Sequence, residues 1–265
     1  MKTIKIDLPR ELKSLEIIPL ADLHIGDPLC DMEIINEKID YIKNNENVYC
    51  LLNGDLMNNS TKNSVGDVYS EQLKPMDQLA KVCEVLEPIK NKILSVTNGN
   101  HEARTWRWDG IDLMKLMCIQ LGIENRYANE SALIFLRFGE LTRNSKETNG
   151  SGKVRQVSYV LFVTHGSGGG RKEGAKAIRL ADMASIVDAD IYIHSHTHLP
   201  MVMKQSFHRT DVRNNSVAFV PKLFVNTAAM LRYGGYGEAA EFKPASTDTP
   251  HIYLSGTIKK FTAKL

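Results

Sequence analysis

Long hydrophobic runs are missing from this 265-residue chain. No stretch approaches the roughly 18 apolar residues that a membrane-crossing helix needs, which excludes a membrane-spanning protein. Residues 1–24, MKTIKIDLPRELKSLEIIPLADLH, are broken by charge and by Pro9 before a signal-like apolar core can form. They read as the start of a mature cytoplasmic fold. Cysteine is scarce: Cys30, Cys50, Cys83 and Cys118 are scattered, with no C-x-x-C pair. That pattern predicts reduced, mostly buried thiols rather than a disulfide framework. An excess of one charge sign is missing too. Lys and Arg number 33 against 31 Asp and Glu, a net charge of +2. This is too even for a nucleic-acid coat or an arginine-rich binder. It leaves room for a nuclease whose local field is set by bound metal ions.

What is present is an ordinary globular composition, 43% hydrophobic and 24% charged, at a length that suits one domain over residues 1–265. Apolar runs alternate with helix-period segments through the first two thirds. Leu15–Ala21, Val48–Leu52 and Lys92–Val96 read as strands, and Met32–Lys43 and Leu73–Ile89 as helices. Repeated strand–helix units predict an α/β domain with parallel pairing and right-handed crossovers. The second half is richer in strands: Ala132–Phe138, Val154–Thr164, Ile191–His194, Met201–Phe207, Val217–Val225 and Ile252–Phe261. Lys172–Val187 is a helix candidate between them. Asn144–Gly152 has the composition of a hairpin tip, and Tyr233–Pro250 that of a long irregular loop.

Polar residues collect where these strands end. The clusters are Asp22-x-His24, Gly54-Asp55, Gly99-Asn100-His101-Glu102, Thr164-His165-Gly166 and His196-x-His198. Carboxyl ends of strands are where α/β folds bind ligands, because the loops there converge on a crevice. Each cluster supplies oxygen or imidazole nitrogen and none supplies thiolate. Such a donor set suits Mn²⁺, Fe or Zn²⁺ better than Mg²⁺ or Ca²⁺, which prefer all-oxygen shells. Singly, each cluster is equally well a helix cap or a hydrogen-bonded turn; five of them in this order are not.

The ordered set, carried here as ADLHIGD, LNGDL, NGNHE, THG and SHTHLP between Asp22 and His198, resembles the calcineurin-like metallophosphoesterase superfamily. The resemblance implies an α/β four-layer sandwich, two mixed β-sheets flanked by helices, with a dinuclear metal site at the carboxyl ends of the strands. It implies that Asp22, His24 and His198 hold one metal and that Asn100, His165 and His196 hold the other. Asp55 would bridge them, and His101 would face the phosphate as general acid or transition-state stabiliser. The ions implied are two divalent metals, Mn²⁺ first, with Fe, Zn or Ni as alternatives. A metal-bridging hydroxide would attack phosphorus. Two such ions about 3.5–4 Å apart can clamp an in-line displacement. Protonation of the leaving group is typically worth about 10²–10⁴ in rate.

The phrase ADLHIGDP is similar to that of SbcCD-type nuclease subunits and of bacteriophage metallophosphoesterases, but the long C-terminal extension of the repair nucleases is missing. Leu56-Met57-Asn58-Asn59 stands where the superfamily's protein phosphatases continue D-R-G. The expected activity is hydrolysis of a phosphodiester in nucleic acid or a nucleotide. A small phosphomonoester, or a catalytically silent protein-binding scaffold, is the alternative. No membrane partner is expected.

Other residues have two readings. His194, His196 and His198 alternate, so on one extended strand they would share a face and form a three-histidine zinc site. That site leaves Asp22, Asp55 and Asn100 without a role. Arg104, Trp106, Arg107 and Trp108 can grip a phosphate and stack on bases; equally, one tryptophan is core and both arginines are solvated. Tyr233 and Tyr236 either stack or pack. The run Gly166–Arg171 lacks Walker lysine spacing, and its Arg171 is a candidate phosphate contact.

Overall fold

Side-chain alternation along the strands decides the layers. The computed structural model describes residues 1–62, 64, 68–142, 155–168 and 170–265. Strand β1 is Lys2–Asp7, β2 Ser14–Leu20, β3 Val48–Asn53, β4 Ile93–Thr97, β5 Tyr127–Ala128 and β6 Ser131–Phe138. Strand β7 is Val157–Thr164, β8 Ile191–His194, β9 Met201–Asp211, β10 Ser216–Asn226, β11 His251–Ser255 and β12 Phe261–Lys264. Helices are α1 Met32–Asn44, α2 Pro75–Leu86, α3 Glu102–Asp109, α4 Leu113–Leu121, α5 Glu173–Asp182 and the short α6 Gly235–Ala239.

The strands form two six-stranded sheets, in the orders β1-β6-β7-β8-β10-β9 and β12-β11-β2-β3-β4-β5. Both are mixed. β2 through β5 run parallel and β11 antiparallel to β2, while β7, β8 and β10 run parallel and β6 antiparallel to β7. Leu15 and Ile17 of β2, with Leu51 of β3, face the other sheet's Ile134, Leu161 and Ile193. One residue along, Ile18, Leu20, Cys50 and Leu52 turn the other way, onto Ile35, Ile39 and Ile42 of α1 and Leu79 and Val82 of α2. On the far side Phe162, Tyr192 and Phe224 pack under Leu180 of α5. The period of two along each strand therefore feeds two cores from one sequence run.

The helices start where the sequence caps them. Asp31 accepts from the Ile34 amide and Asp112 from the Lys115 amide at 2.9 Å. The α4 helix ends at Gly122 with φ +71°.

Several expected elements differ in detail. Strand β1 pairs in parallel with β6, a partner the N-terminal pattern did not suggest. The expected strand Ile252–Phe261 is instead the hairpin β11–β12. The Tyr159 hydroxyl from the other sheet donates to Ser255 O at 2.6 Å and accepts from Lys260 N at 3.1 Å, fixing the turn. The expected hairpin tip at residues 144–152 lies outside the described residues, as do Gly169 and the Tyr236 side chain. Among the described residues all four cysteines are free, and Cys50, Cys83 and Cys118 are buried. No helix among them is long and apolar enough to cross a membrane.

Candidate metal centre

Six strands deliver their carboxyl ends to one edge of the sandwich. Leu20 of β2 leads to Asp22 and His24, Asn53 of β3 to Asp55, and Thr97 of β4 to Asn100 and His101. From the other sheet, Thr164 of β7 leads to His165, His194 of β8 to His196 and His198, and Asn226 of β10 to Thr227. The loops after β2 and β3 are zipped together. Asp22 N donates to Gly54 O and His24 N to Asp55 O, both at 3.0 Å.

Backbone conformation sets the donors. Asp22, His24, Asp55, His196 and His198 all have positive φ, between 49° and 65°. Non-glycine residues rarely adopt this left-handed region, and Asp, Asn and His tolerate it best. Outliers of this kind concentrate where function over-determines the backbone. They also correct the strand-face reading of the three histidines. β8 stops at His194, and Thr197 N closes back on Ser195 O at 2.7 Å. His196 and His198 therefore leave the strand on kinked backbone.

The donors converge in three overlapping groups: Asp22, His24 and His198; His24, Asp55 and His101; and Asp55, His165 and His196. Within each group the ligand atoms lie within 4.8 Å of one another. His198 Nε2 is 3.3 Å from Asp22 Oδ1, and His165 Nε2 is 3.2 Å from Asp55 Oδ2. Asn100 Oδ1 lies 3.1 Å from the same His165 nitrogen. Asp55 shares one group with His24 and another with His165.

A divalent cation fits these residues. Among the described residues, Asp22 Oδ1 and both ring nitrogens of His24 are buried without a hydrogen-bond partner. Such orphans cost free energy unless something else coordinates them. The ring tautomers agree. His165 Nδ1 and His101 Nδ1 each lie 2.7 Å from a backbone carbonyl, of Asn53 and Asn58 respectively. A carbonyl only accepts, so both Nδ1 atoms carry the proton and Nε2 faces the site.

The electrostatics follow from burial and proximity. Burial pushes the pKa of His24 down to about 3 and that of His196 down to about 4, leaving neutral imidazoles able to donate a lone pair. Burial also lowers His101, which Asp55 only partly opposes. His165 goes the other way: burial opposes its charge, but the Asp55 carboxylate holds it up to about 10. Asp55 itself sits well below the usual carboxylate range, because His165 and His101 outweigh its burial.

Glu102 is the residue whose part the sequence did not disclose. It is buried, and its carboxylate accepts from Asp55 N at 3.1 Å, Met57 N at 2.9 Å and Gly99 N at 3.2 Å. Burial and the nearby Asp55 push its pKa up to about 7. Around it, Asn53 donates to Thr164 O and Ser195 Oγ, and so ties the two sheets together beneath the donors. His194 is not among the clustered donors. Its Nδ1 donates to Asn226 Oδ1 at 2.9 Å, with Gly166 close against its Nε2.

The two arginines differ. Arg104 donates to Asn58 O at 3.2 Å, the carbonyl that also holds His101, and so sits beside the donors. Arg171 is exposed, lies 4.0 Å from the Glu241 carboxylate and over the Phe242 ring, and among the described residues makes no hydrogen bond or ion pair with the clustered donors.

No curated protein matches the chain. Among solved structures, a predicted phosphoesterase of Streptococcus pneumoniae is 14% identical, with a TM-score of 0.38, covering 96% of this chain and 99% of that one. Vacuolar protein sorting 29 of Cryptosporidium parvum is 15% identical, with a TM-score of 0.40 over 95% of this chain and 96% of that one. Nuclease MPE of Pseudomonas putida is 14% identical, with a TM-score of 0.36 over 94% and 87%. The profile of the calcineurin-like phosphoesterases matches residues 20–200, the stretch that carries every clustered donor. The chain belongs to the calcineurin-like phosphoesterase family.

Proposed function

We propose that this chain is a dinuclear metal-dependent hydrolase of phosphodiesters in nucleic acid or a nucleotide. Asp22, His24 and His198 hold one divalent ion; Asn100, His165 and His196 hold the second; Asp55 serves both. The observation that carries this reading is the chain of overlapping donor groups in which Asp55 is shared, with Asp22 Oδ1 and the two ring nitrogens of His24 buried and, among the described residues, without a hydrogen-bond partner. The donor set of carboxylate, imidazole and amide favours Mn²⁺, with Fe, Zn or Ni as alternatives. Two bound ions supply a nucleophile from water at neutral pH and neutralise phosphoryl charge.

The chain's own groups do the rest. His101 donates Nδ1–H to Asn58 O, so its Nε2, 3.8 Å from Asp55 Oδ2, faces the site, and in the imidazolium form, which the Asp55 carboxylate favours against burial, it would pass its Nε2 proton to the departing oxygen. Glu102 holds the backbones of Asp55 and Gly99 in place through three amides. Arg104 shares the Asn58 carbonyl with His101, and from there its guanidinium would meet the charge of a bound phosphoryl group. The test is turnover of bis(4-nitrophenyl) phosphate with Mn²⁺, Fe²⁺, Zn²⁺ or Ni²⁺ added to the stripped protein. Turnover restored by metal and lost in Asp55→Ala is expected. A folded protein inactive with every metal favours the silent scaffold, and activity on 4-nitrophenyl phosphate alone favours a phosphomonoesterase.

A further inference from the structure

One feature next to the donors is used by nothing so far. A cleft of about 420 Å³ opens beside them, and Asn100 and His165 are among the residues that line it. Its volume falls within the roughly 300–1,000 Å³ of small-molecule sites. One wall is helix α3, which turns Ala103, Trp106 and Arg107 towards the cleft, the i, i+3, i+4 spacing of a single helix face. Glu130 lines the cleft as well.

Trp106 is 50% exposed, and among the described residues its ring meets no other aromatic ring and no cation. It is held in place all the same, because α3 is fastened at its inner side. Glu102 is buried beneath the donors, and Asn59 Nδ2 donates to Thr105 Oγ1 at 2.7 Å. An indole on a fixed helix, unpaired and facing a cleft, is a stacking platform. Beside the indole, the lining away from the donors carries one cation, Arg107, and one carboxylate, Glu130, and so has no excess of positive charge there to hold a second phosphate; a neutral flat ring suits it.

We propose that this cleft is the nucleobase subsite of the hydrolase, with the base stacked on Trp106 and its phosphate beside the lining donors Asn100 and His165. This rests on the phosphodiesterase reading above and narrows its substrate to a nucleotide ester. Stacking of a base on an aromatic side chain corresponds to about 5- to 150-fold in binding.

The experiment compares two esters with the same leaving group, thymidine 5′-(4-nitrophenyl phosphate) and ethyl 4-nitrophenyl phosphate, in the metal-loaded protein. The ratio of their kcat/KM values is the readout. The wild-type protein is expected to favour the thymidine ester by about 5- to 150-fold. Trp106→Ala brings the ratio towards one, Trp106→Phe keeps most of it, and Trp108→Ala leaves it at the wild-type value. A wild-type ratio near one, or a ratio unmoved in Trp106→Ala, overturns the subsite while leaving the hydrolase standing. Equal losses on both esters in Trp106→Ala overturn it too, because the indole then serves the nitrophenyl group. No turnover of either ester by the metal-loaded wild-type protein overturns the phosphodiesterase reading instead.

Discussion

Gly99→Ala separates the placement of the Asp55 carboxylate from the rest of the clustered donors. A Cβ built on Gly99 lies 2.1 Å from Asp55 Oδ1 and 2.2 Å from Asp55 N. Carbon and oxygen settle at about 3.3–3.6 Å even in close contact, so the carboxylate must retreat by about 1.2 Å or more. Metal–ligand distances tolerate about 0.2 Å. A misplacement of about 1 Å costs on the order of 10²-fold in rate. Gly99 is not among the residues with positive φ, so no left-handed backbone penalty confuses the outcome. Overpacking itself costs about 1–3 kcal/mol, a melting shift of a few degrees in a chain of this size.

Gly122→Ala is the opposite case. Its φ is +71° and nothing lies within 4 Å of the added Cβ, so it strains the α4 cap by about 1–2 kcal/mol and touches nothing else. The assay is metal content after dialysis, kcat/KM on bis(4-nitrophenyl) phosphate, and a thermal melt, for both variants. Gly99→Ala should lose metal or at least about 10²-fold in kcat/KM, whereas Gly122→Ala should lose only stability. Full metal content and wild-type kcat/KM in Gly99→Ala would refute the reasoning.

Three further outcomes are expected. If His101 is the proton donor proposed above and not a ligand, His101→Ala should keep its metal content and lose about 10²–10⁴ in turnover; metal loss equal to that of Asp55→Ala would remove it from that role. Glu102→Ala strands three backbone amides at about 1–3 kcal/mol each before relaxation, so a melt lowered by about 5–15 °C is expected; an unchanged melting temperature would show that the carboxylate does not organise the loops. Excess Mn²⁺ at about 100 times its dissociation constant should stabilise the fold by about 2.7 kcal/mol, and identical melts with Mn²⁺ and with chelator would count against a cation in this cluster.

Much of the site was legible because each donor follows a short buried strand, as Asp22 follows Ile17–Leu20 and Asp55 follows Val48–Leu52. Helix α1 was legible for the same kind of reason, its isoleucines at helical spacing behind a capping Asp31. What escaped the sequence depends on partners far along the chain. Strand β1 is defined by β6, so Lys2 aligns with Ala132. The break between β11 and β12 is set by Tyr159, about a hundred residues away. The histidine repeat from His194 to His198 has the period of a strand, but a local turn at Ser195 overrides it. Glu102 looked like one more polar letter after His101; its three amide partners come from two separate loops.

The kinked main chain under Asp22, His24, Asp55, His196 and His198 has a consequence for engineering. Copying those five side chains onto the regular strands of another scaffold would aim them wrongly, because a straight ribbon cannot present neighbouring groups from left-handed positions. A transplant of this centre must carry its loops along, zipped as they are here, with Gly54 and Gly99 kept bare beside them.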